Sequence, residues 1–77
     1  MKERKSEDDK AYRLTPQQRN TLKLMAKGLP NKEIAYRMGL TVSTVKQHIS
    51  GIFVRLKVNT RTAAVVKAQQ RGLIDRT

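Results

Sequence analysis

The chain of 77 residues contains no cysteine and no tryptophan, and His48 is its only histidine. Without thiols it can form neither a disulfide nor a thiolate metal site, and a single imidazole does not complete a metal site. No acid, thiol or nucleophile is spaced to act together with His48, which argues against a catalytic role. We therefore expect no cofactor, no metal ion, no catalytic residue and no enzymatic activity.

Carboxylates are also scarce, and they are unevenly distributed. The formal net charge is +11, from 17 Lys and Arg against 6 Asp and Glu. Residues 1–13 are nearly balanced, whereas residues 14–77 contain twelve basic side chains against Glu33 and Asp75. A folded unit with one sign of charge repels itself, which usually indicates an anionic partner. The charge alone does not separate DNA from RNA or from an acidic membrane.

Long apolar runs are absent. No segment is long enough to span a bilayer, and the N-terminus lacks an apolar signal-like stretch. These absences predict a cytoplasmic protein with no membrane partner. Residues 1–13 have no hydrophobic periodicity and mix charges of both signs, so we expect a flexible tail or linker remnant there. The remaining residues, 14–77, are enough for one domain.

Strand signals are missing too, and the first predicted element is a helix. Thr15 is expected to be its N-cap, Pro16 occupies the first helical position, and Gln18 is the partner in a capping box. The helix is expected to run to about Lys27. Gly28 then supplies a left-handed residue that ends it.

Three more helices are predicted, at about 31–38, 42–57 and 62–72. Gly39 separates the second from the third, which is the arrangement of a helix-turn-helix. The third helix carries an apolar stripe at i, i+4, i+7 and i+11, formed by Val45, Ile49, Ile52 and Leu56. The predicted fold class is all-α, a compact four-helix domain containing a helix-turn-helix.

The side of the third helix opposite the stripe carries polar side chains suited to a DNA groove. Lys46, Gln47 and Ser50 lie there, and Lys and Gln favour guanine and adenine edges respectively. Thr44 offers a hydroxyl and an adjacent backbone N–H to a phosphate oxygen. Lys32, in the first turn of the second helix, is placed to reach the backbone across the groove.

A joint pattern over residues 14–74 resembles the LuxR-type helix-turn-helix domain, the GerE-like output domain of many bacterial regulators. The residues that carry the resemblance are Thr15-Pro16, Gly28-Leu29, Asn31-Lys32-Glu33-Ile34-Ala35, Thr44-Val45-Lys46, His48, Leu56 and Asn59-Thr60-Arg61-Thr62. The resemblance implies sequence-specific binding to double-stranded promoter DNA, with base contacts from Lys46, Gln47 and Ser50. It implies phosphate contacts from Lys32 and Thr44.

The same resemblance implies a homodimer on inverted or tandem sites, with the fourth helix at the interface. Thr62, Val65, Val66 and Gln69 are the expected interface residues. Other expected features are a bacterial, nucleoid-associated location, RNA polymerase as a further partner, and an upstream receiver or sensing domain in a longer chain. To the phosphate contacts we add His48, Arg55 and Arg61, of which Arg61 could equally brace the loop onto the core.

One departure from the family pattern concerns the start of the second helix. Pro30 stands where the family usually has an N-cap Ser, so the capping box with Glu33 is lost. We expect Asn31 to act as the cap instead, which starts the helix one residue later. That shift would change where Lys32 points.

Other interpretations remain open at the level of sequence. The polar side of the third helix could be an ordinary solvated face. A sigma-factor promoter-binding module uses a similar motif, but it binds DNA poorly without core polymerase. A protein-interaction module docking through the fourth helix would bind little DNA at physiological salt.

Overall fold

The computed structural model describes residues 12–75, and the regular structure in that range is entirely helical. Four helices follow one another along the chain: α1 (Pro16–Ala26), α2 (Asn31–Met38), α3 (Val42–Leu56) and α4 (Arg61–Gln70). The prediction of an all-α, four-helix domain is confirmed. The predicted tail lies outside the described residues except for its last two, Tyr12 and Arg13.

The start of α1 has the predicted capping box. The Gln18 backbone N–H donates to Thr15 Oγ1 at 3.0 Å, and the Thr15 backbone N–H donates to Gln18 Oε1 at 3.0 Å. Two donors that the helix leaves unpaired are thereby satisfied. At the other end Gly28 has φ +80°, a conformation that costs glycine nothing.

α4 begins one residue earlier and ends two residues earlier than its pattern predicts. Thr60 is the N-cap, and its hydroxyl oxygen accepts from the Ala63 backbone N–H at 3.1 Å. This makes Arg61 the first helical residue. The chain leaves the helix at Arg71, before Gly72 with φ +73°.

α3 lies at the centre of the domain and contacts all three other helices. Its predicted stripe is the middle of the core: Val45, Ile52 and Leu56 are fully buried and Ile49 nearly so. The other helices supply Leu22, Met25, Ile34, Ala64 and Ala68, and Leu73 and Ile74 close the core after α4. Burial of this apolar area on the inner side of α3 fixes which side of the helix remains outside.

α1 crosses α3 at Gly51. A Cβ at this glycine would lie 2.5 Å from Gln18 Nε2, which is closer than atoms can approach. The same Gln18 side chain is held by the capping box and is 9% exposed, so it cannot move away freely. The backbone at Gly51 is ordinary helix, so the structural reason for a glycine here is the close approach of the Gln18 side chain.

We expect Gly51→Ala to displace Gln18 and break the capping box. The gain of about 1 kcal/mol from alanine's helix propensity is offset by the loss of the hydrogen bond from the Thr15 N–H to Gln18 Oε1, about 0.5–1.5 kcal/mol. In a Gln18→Ala background the clash is absent, and Gly51→Ala should then stabilise by about 1 kcal/mol. Urea denaturation of the four variants measures this coupling. Equal effects of Gly51→Ala in both backgrounds would show that the contact carries no energy.

The C-terminal end of α3 is held by contacts that the local sequence pattern did not predict. Lys57 adopts a left-handed conformation at φ +59°, and the Lys67 ammonium donates to the Leu56 carbonyl oxygen at 2.9 Å. The same ammonium lies 5.6 Å from the centre of the Tyr12 ring. A cation at this position satisfies a terminal carbonyl and complements the helix dipole. Tyr12, assigned to the tail by sequence, is half-buried and packs against the core.

The described part of the chain, residues 12–75, contains no helix long and apolar enough to cross a bilayer. Over the same residues, no group of three or more His, Asp or Glu side chains is placed to hold a metal ion.

Candidate nucleic-acid interface

The connection between α2 and α3 is a tight turn built on a glycine. Gly39 has φ +68°, and the Leu40 backbone N–H donates to the Ala35 carbonyl oxygen at 2.9 Å. Ala35 is buried, and its small side chain lets α2 approach α3 closely. The turn leads directly to Thr41, the N-cap of α3. α2 therefore braces the first turns of α3, as in a helix-turn-helix.

The three predicted base-reading residues lie together on the outer side of α3. Lys46, Gln47 and Ser50 are all exposed, and they alternate with the buried Val45 and Ile49. Within residues 12–75 none of the three side chains is held by a hydrogen bond or an ion pair. An amide, an ammonium and a hydroxyl are thus free to bond with a partner outside the domain.

The exposed side of α3 includes more residues than the three predicted from the sequence. Ser43 is exposed one turn before Gln47, and Val54 is 74% exposed one turn after Ser50. The signal was available, because both residues share the helical spacing of the base-reading set. Val54 lies at the C-terminal end of this face, in the last turn of α3.

The N-terminal turn of α3 has a specific hydrogen-bond arrangement. Thr41 Oγ1 accepts from the Thr44 backbone N–H at 3.1 Å, and the Thr41 hydroxyl donates to Thr44 Oγ1 at 3.0 Å. The Thr44 N–H is therefore occupied, and the free backbone N–H groups of this turn belong to Val42 and Ser43. Thr44 still has its own hydroxyl hydrogen to donate.

The start of α2 differs from its prediction. The helix begins at Asn31 with Pro30 as N-cap, and no side chain caps it. The expectation that Asn31 serves as the cap is wrong, because its Oδ1 accepts instead from Arg61. Lys32 is exposed in the first turn, as expected. Glu33 forms an ion pair at 3.1 Å with Arg37, which lies one turn further along the same helix.

The three remaining predicted phosphate contacts differ in their surroundings. Arg55 is exposed, whereas His48 and Arg61 are half-buried. Thr44, His48 and Arg55 share one flank of α3 by helical spacing. Arg61 donates from Nη2 to the Leu29 carbonyl oxygen at 2.9 Å and from Nη1 to Asn31 Oδ1. Through these two bonds Arg61 braces the loop onto the core, which was the sequence-based alternative to a phosphate contact.

The predicted dimer face is formed by one side of α4. Thr62 and Val66 are exposed, Val66 by 43%, while Val65 and Gln69 are half-buried. A shallow depression beside them is lined by Met25, Ala26, Gly28, Arg61, Thr62, Val65 and Val66. The face thus combines a small apolar patch with the end of α1.

The charge of the domain is not neutralised from within. Residues 12–75 contain only two carboxylates, Glu33 and Asp75, against twelve basic side chains. Glu33 is already paired with Arg37, and both of these side chains are about half exposed. A surplus of this size around a free polar helix face is the electrostatic signature of a nucleic-acid-binding surface.

Comparison with known proteins agrees with this geometry. The model of the family described as bacterial regulatory proteins, luxR family, matches residues 12–68. The chain belongs to the luxR family. The sequence-based prediction of a DNA-binding helix-turn-helix domain of a bacterial transcription regulator is thereby confirmed.

Several luxR-family relatives share substantial identity with this domain. The nitrate/nitrite response regulator protein NarL of Escherichia coli K12 is 45% identical over 60 residues, 78% of this chain and 28% of the relative. The response regulator protein VraR of Staphylococcus aureus NCTC 8325 is 46% identical over 61 residues, which are 79% of this chain and 29% of the relative. The transcriptional regulator AlkS of Pseudomonas putida is 42% identical over 72 residues, which are 92% of this chain and 8% of the relative. The chain spans less than a third of these relatives.

Proposed function

We propose that this luxR-family domain reads promoter DNA by placing the N-terminal half of α3 in the major groove. Lys46, Gln47 and Ser50 contact base edges there. The observation that supports this assignment is their shared exposure on α3, free of internal bonds and opposite a fully buried stripe. A groove about 12 Å wide admits a helix in this orientation.

Phosphate contacts on the two sides of the groove hold the helix in register. Lys32 reaches one strand from the first turn of α2, where its exposed ammonium is close to the helix N-terminus. Thr44 contacts the other strand through its hydroxyl, together with the free N–H groups of Val42 and Ser43. His48 and Arg55 extend this contact along the flank of α3.

The target is a two-fold symmetric or tandem promoter site, bound by two copies that meet through α4. The exposed Val66 beside the half-buried Val65 supports this surface, because an apolar patch on an otherwise charged domain favours association. In the whole protein the domain serves as the output domain of a response regulator or quorum-sensing-type regulator. It acts on the nucleoid in the bacterial cytoplasm, with RNA polymerase as a further partner.

Selection of bound sequences from a random DNA pool tests the proposal directly. We expect recovered sequences to share a half-site that recurs with a fixed spacing, in inverted or direct orientation. Recovery of sequences with no common motif would remove sequence-specific reading. A motif that binds only when core RNA polymerase is added would favour a sigma-like module instead.

Lys32→Ala is expected to weaken binding to all sequences alike. The slope of log K against log salt is negative, and each lost phosphate contact reduces its magnitude by about 0.9. On both the selected duplex and an unrelated duplex, the ratio of wild-type to variant affinity should therefore shrink by about threefold between 50 and 200 mM salt. Gln17→Ala, an exposed uncharged position on α1, is the control and should change neither slope. A loss confined to the selected duplex would instead make Lys32 a base-reading residue.

A further inference from the structure

One side chain joins the first residues of α4 to the first residues of α2. Arg61 donates to the Leu29 carbonyl oxygen and to Asn31 Oδ1, across 32 and 30 residues of sequence. The planar guanidinium suits this arrangement, because two of its nitrogens donate in parallel directions. Arg61 also lines the depression on the predicted dimer face. The two Arg61 hydrogen bonds therefore connect the start of α2, where Lys32 lies, with the predicted dimer face on α4.

The N-terminal end of α2 has few other restraints. Its N-cap is Pro30, which has no side-chain acceptor for the helix N–H groups. The preceding turn is held by backbone bonds from Gly28 and Leu29 back to the last turn of α1. The Leu29 side chain packs against the core, and within residues 12–75 Arg61 is the side chain that connects this turn to α4 by hydrogen bonds. Lys32 follows Asn31 directly, so its position depends on the same turn.

We propose that Arg61 is a positioning residue for Lys32 and makes no phosphate contact itself. Its Nη1 and Nη2 atoms hold the Leu29–Asn31 segment against α4. Because Lys32 follows this segment directly, the same bonds fix the position from which Lys32 reaches the DNA backbone. Turning the guanidinium toward a phosphate would withdraw the donors from a half-buried carbonyl and amide, which costs free energy. The inference rests on the proposed DNA contact of Lys32.

A double-mutant cycle on duplex binding tests whether the DNA contact of Lys32 depends on Arg61. Lys32→Gln and Arg61→Gln are each expected to reduce the magnitude of the slope of log K against log salt by about 0.9, because either change removes the same contact. The double variant should lose that amount once. A loss of about 1.8 in the double variant would mean two independent phosphate contacts and would overturn the proposal. An unchanged slope in Arg61→Gln would overturn it as well.

Arg61→Lys separates the shape of the side chain from its charge. Lysine keeps the positive charge but cannot donate to two acceptors in a fixed fork. We expect Arg61→Lys to bind DNA like Arg61→Gln. Recovery of the wild-type slope and affinity by Arg61→Lys would assign Arg61 to the charge field or to a phosphate. Arg71→Gln, an exposed arginine just after α4, is the matched control for loss of one charge.

Amide hydrogen exchange gives a measurement that needs no DNA. The Ile34 backbone N–H donates to the Pro30 carbonyl oxygen at 3.0 Å, the first bond of α2. We expect faster exchange at Ile34 in Arg61→Gln and Arg61→Lys, but not in Arg71→Gln. Should Arg61→Gln fail to fold, Asn31→Ala removes one acceptor and should shift exchange in the same direction. Unaltered exchange at Ile34 in the folded variants contradicts the positioning role, whereas wild-type protein that binds no duplex contradicts the proposed function.

Discussion

Lys46→Ala is expected to lower the affinity for a selected binding site by roughly 1–3 kcal/mol, about fivefold to 150-fold. The Lys46 ammonium is exposed on the outer side of α3 and has no partner among residues 12–75. In the proposed complex it donates to the acceptors of a guanine edge, so its loss removes both the bond and the preference for that base. Affinity for unrelated DNA should fall far less, because that affinity comes mainly from phosphate contacts.

Competition binding with the selected site and with single-base variants of it measures this effect. Discrimination should weaken at one base pair of each half-site and persist at the others. Lys23→Ala is the matched control, because it removes the same charge from an exposed position on α1. If Lys46→Ala and Lys23→Ala gave the same loss on every duplex, Lys46 would be part of the charge field and not a base reader.

Ile52→Ala is expected to lower the free energy of unfolding by about 2–5 kcal/mol. Ile52 is fully buried on the inner side of α3, where it is surrounded by the other helices. Truncation leaves a cavity and removes apolar contacts on the helix that carries the proposed reading face. A domain of this size has only ~3–10 kcal/mol of stability in total, so a large fraction of the molecules should unfold.

Urea denaturation followed by circular dichroism provides the measurement. Ile52→Val should cost about 0.5–1.5 kcal/mol, since only one methylene is lost. Val54→Ala changes the same helix two residues further on, but Val54 is 74% exposed. Its effect should stay within about 0.5 kcal/mol. Comparable losses in Ile52→Ala and Val54→Ala would mean that the inner and outer sides of α3 are not distinguished energetically.

The local features of this domain could be predicted because their causes are local. Thr15 and Gln18 form the expected capping box since both donors and acceptors lie within one turn. The stripe of α3 is buried as expected, because a spacing of 3.6 residues places those side chains on one side. Gly28 and Gly39 both have positive φ, since each ends a helix by leaving it in a left-handed turn.

Prediction was weaker where two parts of the chain meet. Asn31 looked like an N-cap from its neighbours, but the distant Arg61 takes its oxygen. Gly51 carried no signal of its own, because the reason for it is the Gln18 amide on another helix. Tyr12 was assigned to a tail because residues 1–13 show no hydrophobic periodicity and mix charges of both signs. Its partners are the core and Lys67, which lie far along the chain.

The sequence by itself determined the number of helices, the capping box of α1, the buried side of α3 and the membership of the luxR family. All of these depend on residues within a few turns of one another or on a pattern of residue types. The tertiary structure alone decided what Arg61, Lys67 and Gly51 do. Their roles come from donors, acceptors and close approaches on different helices, and only the packing of the helices brings those atoms together.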